Sequence, residues 1–186
     1  MANIKGTALL PAVKLIRKFR DKLEPGAMDE AGRALLAQRI LPGSWYPLDA
    51  ASQIMIALTR ALGNESLSVG MEFIAADLAE RDLRGVYQHL ITAGDVARSL
   101  RRSSILWHNY FDQGTLTIWL PDPKTHLAVA RLEGFDQTIP YCCGIPGMAR
   151  VVVRIAGEGR TCEVKQMHCT LKGDSVCEFH YRWSST

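Results

Sequence analysis

Apolar residues recur at steps of three and four over residues 1–111, and the step then changes to two. Leu9, Ala12, Ile16, Phe19 and Leu23 form one stripe, which predicts a helix with Pro11 near its first turn and Pro25-Gly26 as its end. A second helix is predicted from Asp29 to Ile40, followed by a loop, Leu41 to Pro47, that carries Trp45 and Tyr46. Asp49 is placed to cap a third helix with Ile54, Leu58 and Ala61 on one side and Gly63 as its stop. A fourth begins near Ser66 with Leu67, Met71, Ile74 and Leu78. Its apolar phase slips at Arg81-Asp82 and resumes at Val86 and Leu90, which predicts a kink or break. Asp95 caps a fifth helix that ends in Trp107-His108-Asn109-Tyr110-Phe111.

From Asp112-Gln113-Gly114 onward the pattern is that of strands. Thr115-Leu116-Thr117-Ile118 alternates, and Trp119-Leu120 extends the run to a turn at Pro121-Asp122-Pro123-Lys124. His126 to Leu132 reads as a second strand. Residues 144–156 are ambiguous: Val151-Val152-Val153 favours a strand, and Gly144-Ile145-Pro146-Gly147 a helix start. The runs 162–169 and 176–183 flank Lys172-Gly173-Asp174-Ser175 and predict a β-hairpin that brings Cys169 and Cys177 face to face. The pattern is α+β: N-terminal helices (1–111) packed on a four-stranded antiparallel sheet built as ββ-α-ββ (112–186), in a single domain spanning 1–186.

With 47% hydrophobic and 22% charged residues in 186, the chain can bury a sizeable core. No apolar run is long enough to span a bilayer, and no signal-peptide core follows Met1-Ala2-Asn3. Those readings, with an odd count of five cysteines, point to a cytoplasmic protein with reduced thiols. The net charge of +3 is concentrated in Lys14, Arg17, Lys18, Arg20 and Lys22 and in Arg98, Arg101 and Arg102. Solvated helix faces account for this, and no nucleic-acid module is present.

Three sulfurs, Cys143, Cys169 and Cys177, are the candidates for a metal corner, with Glu163, Gln166, His168 or Cys142 as a fourth donor. Strict alternation sets Cys169, Met167 and Glu163 on one face of their strand and His168 with Gln166 on the other, so a bulge is required for some of these sets. Spacing alone reads equally as buried cysteines acting as small hydrophobes. A second candidate site is aromatic. Trp107, Tyr110, Phe111, Trp119 and Tyr141 can line an apolar pocket between helices and sheet, with His108 or Tyr141 fixing a polar ligand group, or can be plain core.

The stretches Ser44-Trp45-Tyr46-Pro47, Glu80-Arg81-Asp82-Leu83-Arg84-Gly85-Val86-Tyr87, Trp107 to Gly114, and Gly173-Asp174-Ser175-Val176-Cys177-Glu178-Phe179 carry a resemblance over nearly the whole chain. It is to a myxobacterial family of unknown function related to 4-vinyl reductase and heme-NO-binding domains. The resemblance implies helices on a four-stranded antiparallel sheet, as in those domains and in trafficking-complex subunits, and a homodimer. It also implies a zinc site of spacing Cys-x22-Glu-x2-Cys-x7-Cys beneath a pocket for small aromatic effectors. Here the spacing reads Cys143-x22-Gln166-x2-Cys169-x7-Cys177, with Gln166 in place of the carboxylate.

The expected function is therefore a non-enzymatic small-molecule-binding, sensory or regulatory domain, with zinc as the candidate cofactor and a vestigial metal site as the alternative. A protein-interaction or scaffold subunit is the alternative, supported by the absence of an output domain after Trp183. An enzyme of tetrapyrrole or aromatic metabolism ranks third: no nucleophile elbow, P-loop or dinucleotide fingerprint is present. Heme, through His89 or His108, is argued against, because the Tyr-x-Ser-x-Arg signature of heme-NO-binding proteins is replaced by Tyr141-Cys142-Cys143-Gly144.

Overall fold

The computed structural model describes residues 2–24, 26–63, 66–122 and 125–184. A short strand, β1 (Asn3–Lys5), leads directly into helix α1 (Gly6–Lys18). Next come α2 (Glu30–Ala37), β2 (Trp45–Pro47), α3 (Leu48–Ala61), α4 (Leu67–Arg84), α5 (Val96–Ser103) and α6 (Ile105–Tyr110). The second part runs β3 (Thr115–Trp119), β4 (Leu127–Glu133), α7 (Gly144–Ala156), β5 (Cys162–His168) and β6 (Cys177–Trp183). These last four strands form an antiparallel sheet of order β3-β4-β6-β5. Its inner face carries Leu116 and Ile118, Ala128, Ala130 and Leu132, and Cys177, Phe179 and Tyr181, all buried.

Helix α7 lies between that sheet and α4. It is buried almost all round, including Val151, Val152 and Val153. A helix covered on both sides reads as a continuous apolar run, which is why its valines were equally consistent with a strand. Tertiary burial outweighs the modest helix penalty of β-branched residues here. The approach of α7 to α4 is unusually close because Gly144 and Gly147 face it. A Cβ on Gly147 would lie 2.3 Å from the Glu72 carbonyl oxygen, and one on Gly144 would lie 2.9 Å from the Ala75 Cβ. Ion pairs Glu72–Arg150 and Glu80–Arg154 flank the seam.

Several boundaries differ from the sequence reading. Helix α1 stops at Lys18 and a single turn of 3₁₀ helix follows at Arg20–Lys22, so Leu23 lies beyond the helix. Pro11 sits in the interior of α1 rather than its first turn. Pro25, Pro123 and Lys124 of the predicted turns lie outside the described residues. Helix α2 ends at Ala37, three residues short of Ile40. Helix α3 begins at Leu48 with Asp49 in its first turn, not as its cap. Helix α4 runs unbroken through Arg81-Asp82 to Gly85, because Asp82 is buried and held by partners described below. The predicted fifth helix is two, α5 and α6, joined at Ser104.

Two features had no counterpart in the sequence pattern. The aromatic loop contains β2, which pairs with β1 through Ile4↔Tyr46. The N-terminal strand is also stapled to the end of α6: the Asn3 amide donates to Asp112 Oδ1 at 2.7 Å, and Ile4 bridges to Phe111.

Replacing Gly147 by Ala should cost about 1–3 kcal/mol, since backbone of α4 must move to admit one methyl group. Gly43→Ala, at a position where an added Cβ meets nothing within 4 Å, serves as the control. Urea unfolding with an unchanged slope and a lower midpoint only for the first variant is the expected result.

Candidate functional site

Two zones meet at the turn that opens α7. The first is a small cavity, about 70 Å³, bordered by β1, α1, α3, α4, α6 and the start of α7. Its walls are Ile4, Ala8, Met55, Met71, Ile74, Leu78, Ala79, Trp107, Tyr110, Phe111, Tyr141, Ile145 and Met148. Both phenols are already committed. Tyr110 donates to Asp82 Oδ2 at 2.7 Å, and the other oxygen of that buried carboxylate accepts from Arg81 Nε at 3.0 Å. Ser52 donates its single proton to the Leu48 carbonyl at 2.8 Å, so Tyr141 is the donor in its 3.2 Å contact with Ser52 Oγ. Burial pushes both phenol pKa values up, and the Asp82 charge raises Tyr110 further. Both therefore stay neutral and present mainly ring carbon to the cavity.

The aromatic wall is ordered by ring contacts, tilted between Trp107 and Phe111 and edge-on in the other pairs. Trp107 meets Phe111 at 4.4 Å and Phe135 at 4.9 Å between centroids, and Phe111 meets Tyr141 at 5.5 Å. The Trp107 indole N–H is used by the Gln113 carbonyl at 3.0 Å. The lining is thus almost wholly apolar, and the three methionines are its most deformable members.

The second zone is a thiol cluster. The sulfurs of Cys142, Cys169 and Cys177 all lie within 4.8 Å of one another, and all three residues are buried. Gln137, itself buried, organises them. Its Oε1 accepts from the Cys142 amide at 3.0 Å, while its Nε2 donates to Thr170 Oγ1 at 3.0 Å and to Cys177 Sγ at 3.4 Å. The Thr170 amide also donates to Cys177 Sγ at 3.4 Å. The Cys142 thiol, the Thr170 hydroxyl and amide, and the Cys169 thiol lower the Cys177 pKa against its burial. Cys142 donates to its neighbours, keeps its proton and is pushed up.

The cluster depends on an irregularity in β5. Gln166 pairs with Phe179 and His168 with Glu178, so Met167 is an extra, exposed residue. This bulge resets the alternation, and Gln166 and the buried Cys169 both reach the inner side. Gln166 Nε2 stands 3.9 Å from Cys142 Sγ. Cys169 itself lies past the end of β5, where its amide donates to Asp174 Oδ2 at 2.7 Å and fixes the turn. Cys142, not Cys143, supplies the third sulfur. Cys143 is half-buried one position along the turn, and its thiol meets Cys142 and Ser68, whose hydrogen bonds lower its pKa. Three thiolates would suit a soft or borderline metal such as zinc, at about 2.3 Å per bond. The amides of Gln137 and Gln166 approach the sulfurs through nitrogen, which is not a metal-binding atom.

Of the predicted pocket residues, Trp107, Tyr110, Phe111 and Tyr141 line the cavity. His108 is exposed on the outer side of α6, and Trp119 stands on the outer sheet face with the Arg131 guanidinium 5.3 Å from its ring. Both placements were legible: Leu106, Trp107 and Tyr110 define the buried side of α6, and Leu116 with Ile118 sets the inner side of β3. Met55, Met71 and Met148 were missed because a methionine on an apolar stripe carries no signal beyond core.

No known family's sequence model matches this chain, and no curated protein matches it. Solved structures do, with the fold of H-NOX domains. An H-NOX mutant of T. tengcongensis superposes with a TM-score of 0.63 at 11% identity, covering 97% of this chain and 98% of that one. An oxygen-binding H-NOX domain related to soluble guanylate cyclases, in its oxygen complex, gives 0.65 at 9% identity over 97% and 95%. A structure described as modulating heme redox potential through protein-induced porphyrin distortion gives 0.62 at 11% identity over 97% and 99%. At such identities the likeness defines the fold: helices and a four-stranded antiparallel sheet in the H-NOX arrangement.

This corrects the argument made against heme from the missing Tyr-x-Ser-x-Arg signature. The scaffold is shared with heme domains, so the loss of one motif does not separate the chain from them. His89 and His108 are both exposed, no histidine is among the lining residues, and 70 Å³ does not fit a porphyrin in this conformation.

Two outcomes are expected. Tyr110→Phe leaves one oxygen of a buried carboxylate without its donor and should cost about 1.5–3 kcal/mol in denaturant unfolding. Brief alkylation of the native, metal-free protein near neutral pH should modify Cys143 first. Cys142, Cys169 and Cys177 should react only as fast as the protein unfolds, read by mass mapping.

Proposed function

We propose that this chain is a sensory or regulatory ligand-binding domain in which a small apolar molecule occupies the cavity between α1, α3, α4, α6 and α7. The observation that carries this reading is the lining: an apolar chamber whose two phenols are both bonded away, so that it recognises shape and carbon rather than charge. Its size suits a ligand of a few heavy atoms. Rearrangement of Met55, Met71 and Met148 extends the range to larger ones.

The H-NOX fold supports a sensor, since one neighbour is described as an oxygen-binding domain related to soluble guanylate cyclases. The path for a signal is short. Tyr141 lines the cavity and the next residue, Cys142, belongs to the thiol cluster on the sheet, so a ligand that moves the Tyr141 ring acts on both. In this reading the thiol cluster is a structural staple at the sheet end, and zinc is the metal its three sulfurs suit.

A protein-interaction role is the second reading. Val69 and Phe73, one turn apart on α4, are 56% and 57% exposed, an apolar pair facing outward. It predicts a stable partner and no response of the cavity to small molecules.

The test is methyl NMR of the methionines with thermal unfolding, across a panel from xenon to indole that also contains hemin. A ligand at ten times its Kd should add about 1.4 kcal/mol of stability and shift the Met55, Met71 and Met148 methyl signals. Ala79→Leu, which fills the chamber, should abolish both effects. Hemin binding with an iron Soret band would make heme the occupant. No shift with any probe would sink the proposal and leave the interaction reading.

A further inference from the structure

A second concavity, independent of the central cavity, lies between α1 and α2 and the segment that follows α2, with a volume of about 1130 Å³. Its floor is apolar and recessed: Ile16, Met28 and Ile40 are all buried, and Leu10, Leu23 and Leu36 are half-buried. Its rim is basic. Lys14, Arg17, Arg33 and Arg39 line it, and no Asp or Glu is among the lining residues. Among the described residues none of the four pairs with a carboxylate.

Two of these cations are committed to backbone carbonyls around the groove. Arg17 donates to the Leu36 and Gln38 carbonyls at 2.7 and 2.9 Å, which satisfies the exposed C-terminal end of α2. Arg33 donates to the Met28 carbonyl at 2.6 Å. Lys14 and Arg39 are exposed at the rim and have no such task.

We infer that this groove binds a single-chain anionic amphiphile, a long-chain carboxylate, with the chain on the recessed floor and the headgroup between Lys14 and Arg39. Charge and shape favour that occupant over others. No aromatic side chain is in the lining, so the groove has no platform for stacked bases. A bilayer surface would meet the rim cations but not the floor, because Ile16, Met28 and Ile40 are buried and the exposed apolar lining, Ala37, Leu41 and Pro42, lies only at the edge that follows α2. One flexible chain reaches both at once. The basic charge of the first helix then has a purpose beyond solvation: it places one rim cation, Lys14, and one cation that fixes α2, Arg17.

The probe is palmitate, below its aggregation limit, titrated into the full chain by calorimetry and native mass spectrometry. The expected result is one molecule per chain, with binding at least about tenfold weaker for the uncharged sixteen-carbon alcohol. Lys14→Glu combined with Arg39→Glu should weaken palmitate at least tenfold and leave the melting temperature unchanged. Leu10→Gln should also weaken it, through the apolar wall rather than the rim. Ala79→Leu, which blocks the central cavity, should leave palmitate binding intact, so the two sites fail separately. Loss of binding in Ala79→Leu but not in the rim variant would place the chain in the central cavity and overturn the inference. Binding to anionic vesicles with none to monomeric palmitate would overturn it in favour of a membrane surface, and no binding at all would overturn it outright.

Discussion

The close approach of α7 to α4 is the constraint on which the rest of the molecule depends. Gly144 and Gly147 present no side chain to α4, so backbone meets backbone, and the remaining side chains of α7 are free to fill both of its faces. One face packs under the sheet. The other, with Ile145 and Met148, closes the cavity. The turn that starts the helix is thereby pinned in place, with Tyr141 directed to the cavity and Cys142 to the sheet. A helix displaced outward by the width of a methyl group would open the chamber and separate Cys142 from Cys169 and Cys177.

The cavity and the thiol cluster are built by opposite means. The cavity is made of redundant parts: many apolar side chains from six elements, each contributing a little contact, with the polar phenol ends anchored outside it. The thiol cluster is made of few parts with fixed roles. Gln137 uses its oxygen on one cysteine's amide and its nitrogen on another's sulfur, and the bulge at Met167 sets the register that lets Gln166 and Cys169 share a side. The first tolerates substitution by volume. The second does not tolerate loss of the amide that orients it.

The sequence revealed those features that depend on local period and hid those that depend on tertiary contact. The Leu9–Ala12–Ile16 stripe, the cap at Asp95, and the hairpin about Gly173-Asp174 are written in neighbouring residues, and the fold carries them. The continuity of α4 through Arg81-Asp82 was not, because Tyr110, distant in sequence, supplies the partner that makes a buried aspartate acceptable. Neither was the choice of Cys142 over Cys143: adjacent residues differ only in direction, and the 3₁₀ turn that sets the direction depends on Gln137. The pairing of β1 with β2 has only three residues on each side, too few for a period to show.

The central claim is that the chamber between the helices and α7 is a binding site rather than a packing fault. A crystal structure determined under xenon pressure tests it most directly. The account predicts a xenon atom among Met55, Met71, Trp107 and Tyr141, with the thiol cluster unmoved. Absence of xenon there, with the same volume filled by rotated methionine side chains, would contradict it.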